Sequence, residues 1–124
     1  MKLENQVCSL ELAKKLKELG VKQESLWWWN IYNQNGCDAM ITLNRPERKG
    51  DYCCSAFTVT ELGEMLPNYV GGQEISTRKD VDNNYWCELL GDDTKEKYFK
   101  SNAEANARAK MLIYLIENKL METK

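Results

Sequence analysis

The sequence predicts an α+β domain in the order α-β-β-β-α-β-β-β-α, with a mostly antiparallel sheet packed by helices. Three observations predict it. Apolar residues recur at helical spacing in three places, each behind a capping residue. Between them lie short runs rich in aromatic and β-branched residues, separated by turn residues at hairpin spacing, a pattern of antiparallel pairing. No Pro- or Ser-rich stretch divides the 124 residues, so residues 1–124 read as a single domain around one core.

The first helix is expected over residues 9–19. Ser9 is its N-cap, and Leu10, Ala13 and Leu16, with Leu12 or Leu19, form an apolar stripe. Lys14, Lys15 and Lys17 face water, and Gly20 supplies the C′ position. Residues 26–32 and 37–43 read as the arms of a hairpin around the turn Asn33-Gln34-Asn35-Gly36, and 51–57 as a third strand. Thr58 and Glu61 form a Thr-x-x-Glu capping box for a two-turn helix through Leu66, with Pro67 beyond it. Val70-Gly71-Gly72 reads as a loop. Strands are expected at 74–78, 85–90 and 95–100, separated by the turns Asp80-Val81-Asp82-Asn83-Asn84 and Gly91-Asp92-Asp93. Ser101 and Glu104 read as a second capping box, opening a helix to about Leu120. Its expected buried face is Ala105, Ala109, Leu112, Ile113, Ile116 and Leu120, with Arg108, Lys110, Glu117 and Asn118 toward solvent. Residues 26–67 and 74–120 thus share a βββα pattern, which a diverged duplication would produce, though their sequence identity is too thin to establish one.

Composition excludes several function classes. The net charge of −2 argues against a generic nucleic-acid binder, since phosphate contacts need clustered Lys and Arg. The balance is uneven: residues 1–50 carry 8 basic and 6 acidic side chains, residues 51–124 carry 9 and 13. The chain has no histidine, which removes His-based triads, Cys–His nucleophiles and Cys₂His₂ zinc sites. Five cysteines (Cys8, Cys37, Cys53, Cys54 and Cys87) without a C-x-x-C spacing read as reduced, mostly buried thiols. Asp80-Val81-Asp82-Asn83-Asn84 has the opening of a calcium loop but not its sixth-position glycine, and turn chemistry explains it better. No phosphate-cradling glycine motif or nucleophile elbow occurs. No catalytic residue, metal ligand or cofactor site is therefore expected, and the protein is expected not to be an enzyme. With no signal-peptide pattern and no apolar run of ~20 residues, a cytoplasmic address and no membrane partner are expected.

The strongest single feature is Trp27-Trp28-Trp29. In a strand Trp27 and Trp29 share one face and Trp28 takes the other. Core filling explains such rings best, with the Trp27/Trp29 face covered and Trp27 at its margin. If that face is open, the binding candidates are Trp27 and Trp29 together with Arg45, Arg48 and Lys49 of the following polar loop. Trp, Tyr and Arg dominate protein interfaces, and a basic loop beside stacked rings also suits single-stranded nucleic acid. The order α-β-β-β-α over residues 9–66 resembles a double-stranded RNA-binding domain. That family starts its second helix with lysines that grip phosphates; here the helix carries Glu61 and Glu64 instead.

Three stretches, SLELAKKLKELGVKQESL at 9–26, SAFTVTELGEMLP at 55–67 and EANARAKMLIYLIENKL at 104–120, carry a likeness in order and spacing. They are similar to a family of small uncharacterised proteins encoded by tailed phages and prophages of gut bacteria. A looser similarity is to phage αβα-sandwich domains, which also end in an Ala-rich helix entered from a strand. The resemblance implies a phage or prophage origin and a bacterial host cytoplasm, and implies no activity. Taken with the residue chemistry, it leads to the expectation of a non-enzymatic accessory protein that binds a host or phage protein, in host takeover or counter-defence. Single-stranded nucleic-acid binding is the alternative.

Overall fold

Hairpin-spaced strands and capped helices do form an α+β fold in the computed structural model, which describes residues 5–31, 39–43, 52–90 and 97–121. The elements are α1 (Leu10–Glu18), β1 (Trp27–Ile31), β2 (Ala39–Leu43), β3 (Tyr52–Ala56), α2 (Val59–Met65), β4 (Tyr69–Val70), β5 (Gln73–Lys79), β6 (Tyr85–Leu90), β7 (Lys97–Ser101) and α3 (Glu104–Glu117). Their order is the expected one with one addition. Gly71 and Gly72 both adopt positive φ, 56° and 84°, so the expected loop tightens into a two-residue turn that pairs β4 with β5.

The strands divide between two antiparallel sheets, β2-β1-β3 and β4-β5-β6-β7. In the first, β1 is central and pairs with both later strands; in the second, the strands follow one another as a meander. The βββα order shared by 26–67 and 74–120 is therefore built with two different strand connectivities.

Local chemistry sets the helix ends. Ser9 caps α1. Its other end closes with Val21 N–H donating to Leu16 C=O and Gly20 N–H to Lys17 C=O, around Gly20 at φ 90°, a Schellman closure. The Thr58/Glu61 capping box forms as expected. The Ser101/Glu104 box does not. Ser101 is drawn into β7 opposite Tyr85, and α3 starts behind Ala103 with no side-chain cap. At its other end α3 stops three residues earlier than expected. Lys119 turns left-handed at φ 56°, with Leu120 N–H donating to Leu115 C=O and Lys119 N–H to Ile116 C=O. Leu120 lies past that closure and is 44% exposed.

Helix α3 is the centre of the molecule and packs against α1, α2, β6 and β7. The expected stripe of Ala105, Ala109, Leu112 and Ile113 is buried. A second stripe of Ala107, Met111 and Leu115, at i, i+4 and i+8, is buried as well. Beside it on the helical wheel, Tyr114 meets Phe99 of β7 with ring centroids 5.7 Å apart. Two apolar stripes and three alanines describe a helix enclosed from two sides, with close approach where the side chains are small. Arg108 is correspondingly not a solvent residue: it donates through Nη1 to Val59 C=O at 2.9 Å and pairs with Glu104 at 3.3 Å. One hydrophobic cluster draws on all three helices and both sheets, including Leu16, Trp29, Leu62, Cys87, Leu89 and Leu112.

Candidate functional site: an aromatic sheet face

The tryptophan strand is held by the chain segments around it. Residues 6–8 run beside the strand-to-helix junction, with Cys8 N–H donating to Phe57 C=O at 2.9 Å. The free carbonyl of Cys8 then accepts the Trp29 indole N–H at 2.9 Å. Trp29 is 8% exposed and belongs to the main hydrophobic cluster, and Trp27 packs half-buried against it. Opposite them in register are Cys54 and Ala56 of β3, both buried. Trp28, on the other face, is 6% exposed. The Trp27/Trp29 face is covered, with Trp27 at its margin. Of the remaining candidates, Arg45, Arg48 and Lys49 lie outside the described residues.

Solvent meets aromatic chemistry on the second sheet. Alternation along β6 sends Cys87 and Leu89 into the core and leaves Trp86, Glu88 and Leu90 on the outer face. Cross-strand register then sets three rows on that face: Tyr69, Glu74 and Leu90; Ser76, Glu88 and Tyr98; Arg78, Trp86 and Lys100. Tyr69, Leu90 and Tyr98 are all exposed, Tyr98 at 53%. Among the described residues, half of the exposed large hydrophobic side chains sit on this one face.

Trp86 organises the row nearest the β5–β6 turn. Its ring lies 4.9 Å from Tyr98, tilted at 44°. The Arg78 guanidinium stands 4.7 Å from its centroid and the Lys100 ammonium 5.2 Å, distances at which the ring quadrupole attracts a cation. Arg78 Nε also donates to Glu88 Oε1 at 2.9 Å. The indole N–H donates to Asp80 Oδ2 at 2.7 Å. The other oxygen of Asp80 accepts from Asp82 N–H at 2.9 Å and Asn84 N–H at 3.0 Å, which closes the turn with Asn83 at φ 64°. Donation from the Trp86 indole, then from the Asn84 backbone, holds the Asp80 carboxyl below its ordinary value. The acidic run at 80–84 is thus a turn whose anchor fixes the tryptophan ring.

Cys8 and Cys87 are buried thiols. Burial pushes Cys8 up to about 12 and Cys87 up to about 11. Both are free, and as neutral thiols they behave as small apolar side chains.

Sequence reasoning did not single out Trp86, Tyr98, Arg78 or Lys100. The signal was present as register. A turn centred on Asp82 pairs Arg78 with Trp86, and the antiparallel register of β6 with β7 pairs Trp86 with Lys100 and Glu88 with Tyr98. The chain matches no protein-family model, no curated protein and no solved structure. No helix among the described residues is long and apolar enough to cross a membrane.

Proposed function

We propose that this protein is a non-enzymatic accessory protein of phage or prophage origin that acts in the bacterial cytoplasm. It does so by binding a host or phage protein through the outer face of β4–β7. One observation carries the reading: Trp86, Tyr98, Tyr69 and Leu90 share a single outer sheet face with Arg78 and Lys100. Aromatic residues and Arg supply most interface hot spots, and exposed apolar side chains gathered on one face mark an interaction site. Asp80 and Trp86 hold each other in place, so the ring presents area at low ordering cost. Charge favours a protein over nucleic acid. Arg78 and Lys100 stand among Glu74, Asp80 and Glu88, a balance that attracts mixed-charge protein surface and opposes a phosphate backbone.

The test is affinity capture with crosslinking from lysate of phage-infected or prophage-induced bacteria. The wild type is compared with a Trp86→Ala/Tyr98→Ala double variant shown to fold by hydrogen exchange. A protein captured by the wild type and lost with the double variant is expected; the same proteins captured by both would overturn the reading. An oligo-dT titration at low salt is expected to leave Trp emission unchanged. Quenching that vanishes in Trp86→Phe would put single-stranded nucleic acid in place of a protein.

A further inference from the structure

Between α2, the end of α3 and residues 21–24 lies a cleft of about 770 Å³, away from the aromatic face. Its floor and walls are apolar: Phe57, Leu66 and Leu112 are buried beneath it, and Met65, Ile116 and Met121 are half-buried around it. Its rim is acidic. Glu61 and Glu64, one helical turn apart on α2, line it together with Glu24, and Lys22 is the single base among the described lining residues. That lysine is already paired with Glu24 at 3.1 Å. Glu61 is fixed as well, its two oxygens accepting Thr58 N–H and Leu26 N–H. The described lining therefore sets an apolar trough beside a net charge of about two negative, three glutamates against one lysine.

We infer that this cleft docks a short cationic amphipathic helix of a partner protein, its apolar anchors in the trough and its Lys or Arg side chains against Glu24, Glu61 and Glu64. The volume lies within the roughly 300–1,000 Å³ of pockets that enclose a compact ligand. Anchors spaced i, i+3/i+4 and i+7 are the helix-in-groove mode. Met65 and Met121 suit such a site because unbranched thioethers repack around different apolar shapes. The rim's charge selects the occupant: an acidic or uncharged helix fills the trough equally well and gains nothing from the three carboxylates.

The test uses the full chain and a fluorescein-labelled amphipathic peptide of roughly 12 residues with Leu anchors and Lys on the flanks, followed by fluorescence anisotropy. A matched peptide carries Glu in place of Lys. The Lys peptide is expected to bind about tenfold or more tightly than the Glu peptide, with that preference shrinking as salt rises. Glu64→Lys, at an exposed position where folding is undisturbed, is expected to weaken the Lys peptide by about fivefold. Met121→Glu should weaken both peptides, and Trp86→Ala neither. Equal binding of the two peptides, no binding of either, or loss of binding in Trp86→Ala would each overturn the inference. So would sedimentation showing a dimer that Met121→Glu dissociates, because the occupant would then be a second copy. The Trp86→Ala arm also separates this cleft from the aromatic face, so either site can fail alone.

Discussion

Gly63 sits in the middle of α2, where replacing glycine by alanine ordinarily stabilises a helix by about 1 kcal/mol. Here a Cβ at residue 63 would collide with the Nη1 end of the Arg108 guanidinium. That nitrogen is the one donating to Val59 C=O, so Arg108 must swing away and lose the bond that ties α3 to α2. A hydrogen bond from a charged donor is worth about 1.5–3 kcal/mol. The buried Nε of Arg108 has no acceptor among the described residues, which sets the expected loss near the low end, about 2 kcal/mol. Gly63→Ala is therefore expected to destabilise the protein by about 1 kcal/mol. In an Arg108→Ala background the collision is gone, and the same change should stabilise by about 1 kcal/mol. Urea denaturation of the four proteins reads the coupling directly, about 2 kcal/mol in a double-mutant cycle. A stabilising Gly63→Ala in the wild type, or equal effects in both backgrounds, would refute the packing described for these helices.

Trp29→Phe keeps most of the apolar volume but orphans the buried Cys8 carbonyl, and should cost about 1–3 kcal/mol by urea denaturation. Cys8 and Cys87 should resist alkylation by iodoacetamide at pH 8 until the chain is unfolded, as read by peptide mass spectrometry. Because burial raises Cys8 from 9.0 to about 12, the unfolded chain loses this proton first as pH rises. The thiol's contribution to stability is then full below about pH 9 and falls away toward pH 12. Asp80 has the opposite sign. Its lowered value means that the stability lent by its bonds to the turn and to Trp86 is full above the ordinary carboxylate pKa and is lost as pH falls through the lower folded-state value. A Trp emission change at acid pH that Trp86→Phe abolishes is the expected signature.

How far the sequence foretold the molecule follows from where the information was local. Ser9, Gly20, Thr58 and Glu61 close their helix ends through backbone groups within four residues, and those ends lie where capping rules put them. Ser101 carried the same local pattern, yet pairing with Tyr85 across β6 and β7 outweighed it. The second buried stripe of α3 was hidden by its alanines, which read as helix formers rather than as contacts until two neighbours close on them. The tryptophan strand drew attention by composition, and its covered face follows from Cys8, a residue 21 positions away that supplies the indole's acceptor. The aromatic face escaped because its members are spread over four strands, and only register joins Arg78, Trp86, Tyr98 and Lys100.

The two tryptophans divide the labour: Trp29 builds the core, and Trp86 faces the surface where a partner would meet it. Indole hydrogen exchange measured by NMR tests that division most directly, with signals assigned by Trp29→Phe and Trp86→Phe. The Trp29 indole proton, buried on the Cys8 carbonyl, should exchange only with large-scale opening, about 100-fold or more slowly than that of Trp86. The Trp86 proton, bonded to Asp80 at the sheet surface, should exchange by local motion and faster still once Asp80 is replaced by Ala. A Trp29 indole exchanging as fast as Trp86, or a Trp86 indole protected to the level of global unfolding, would refute that division.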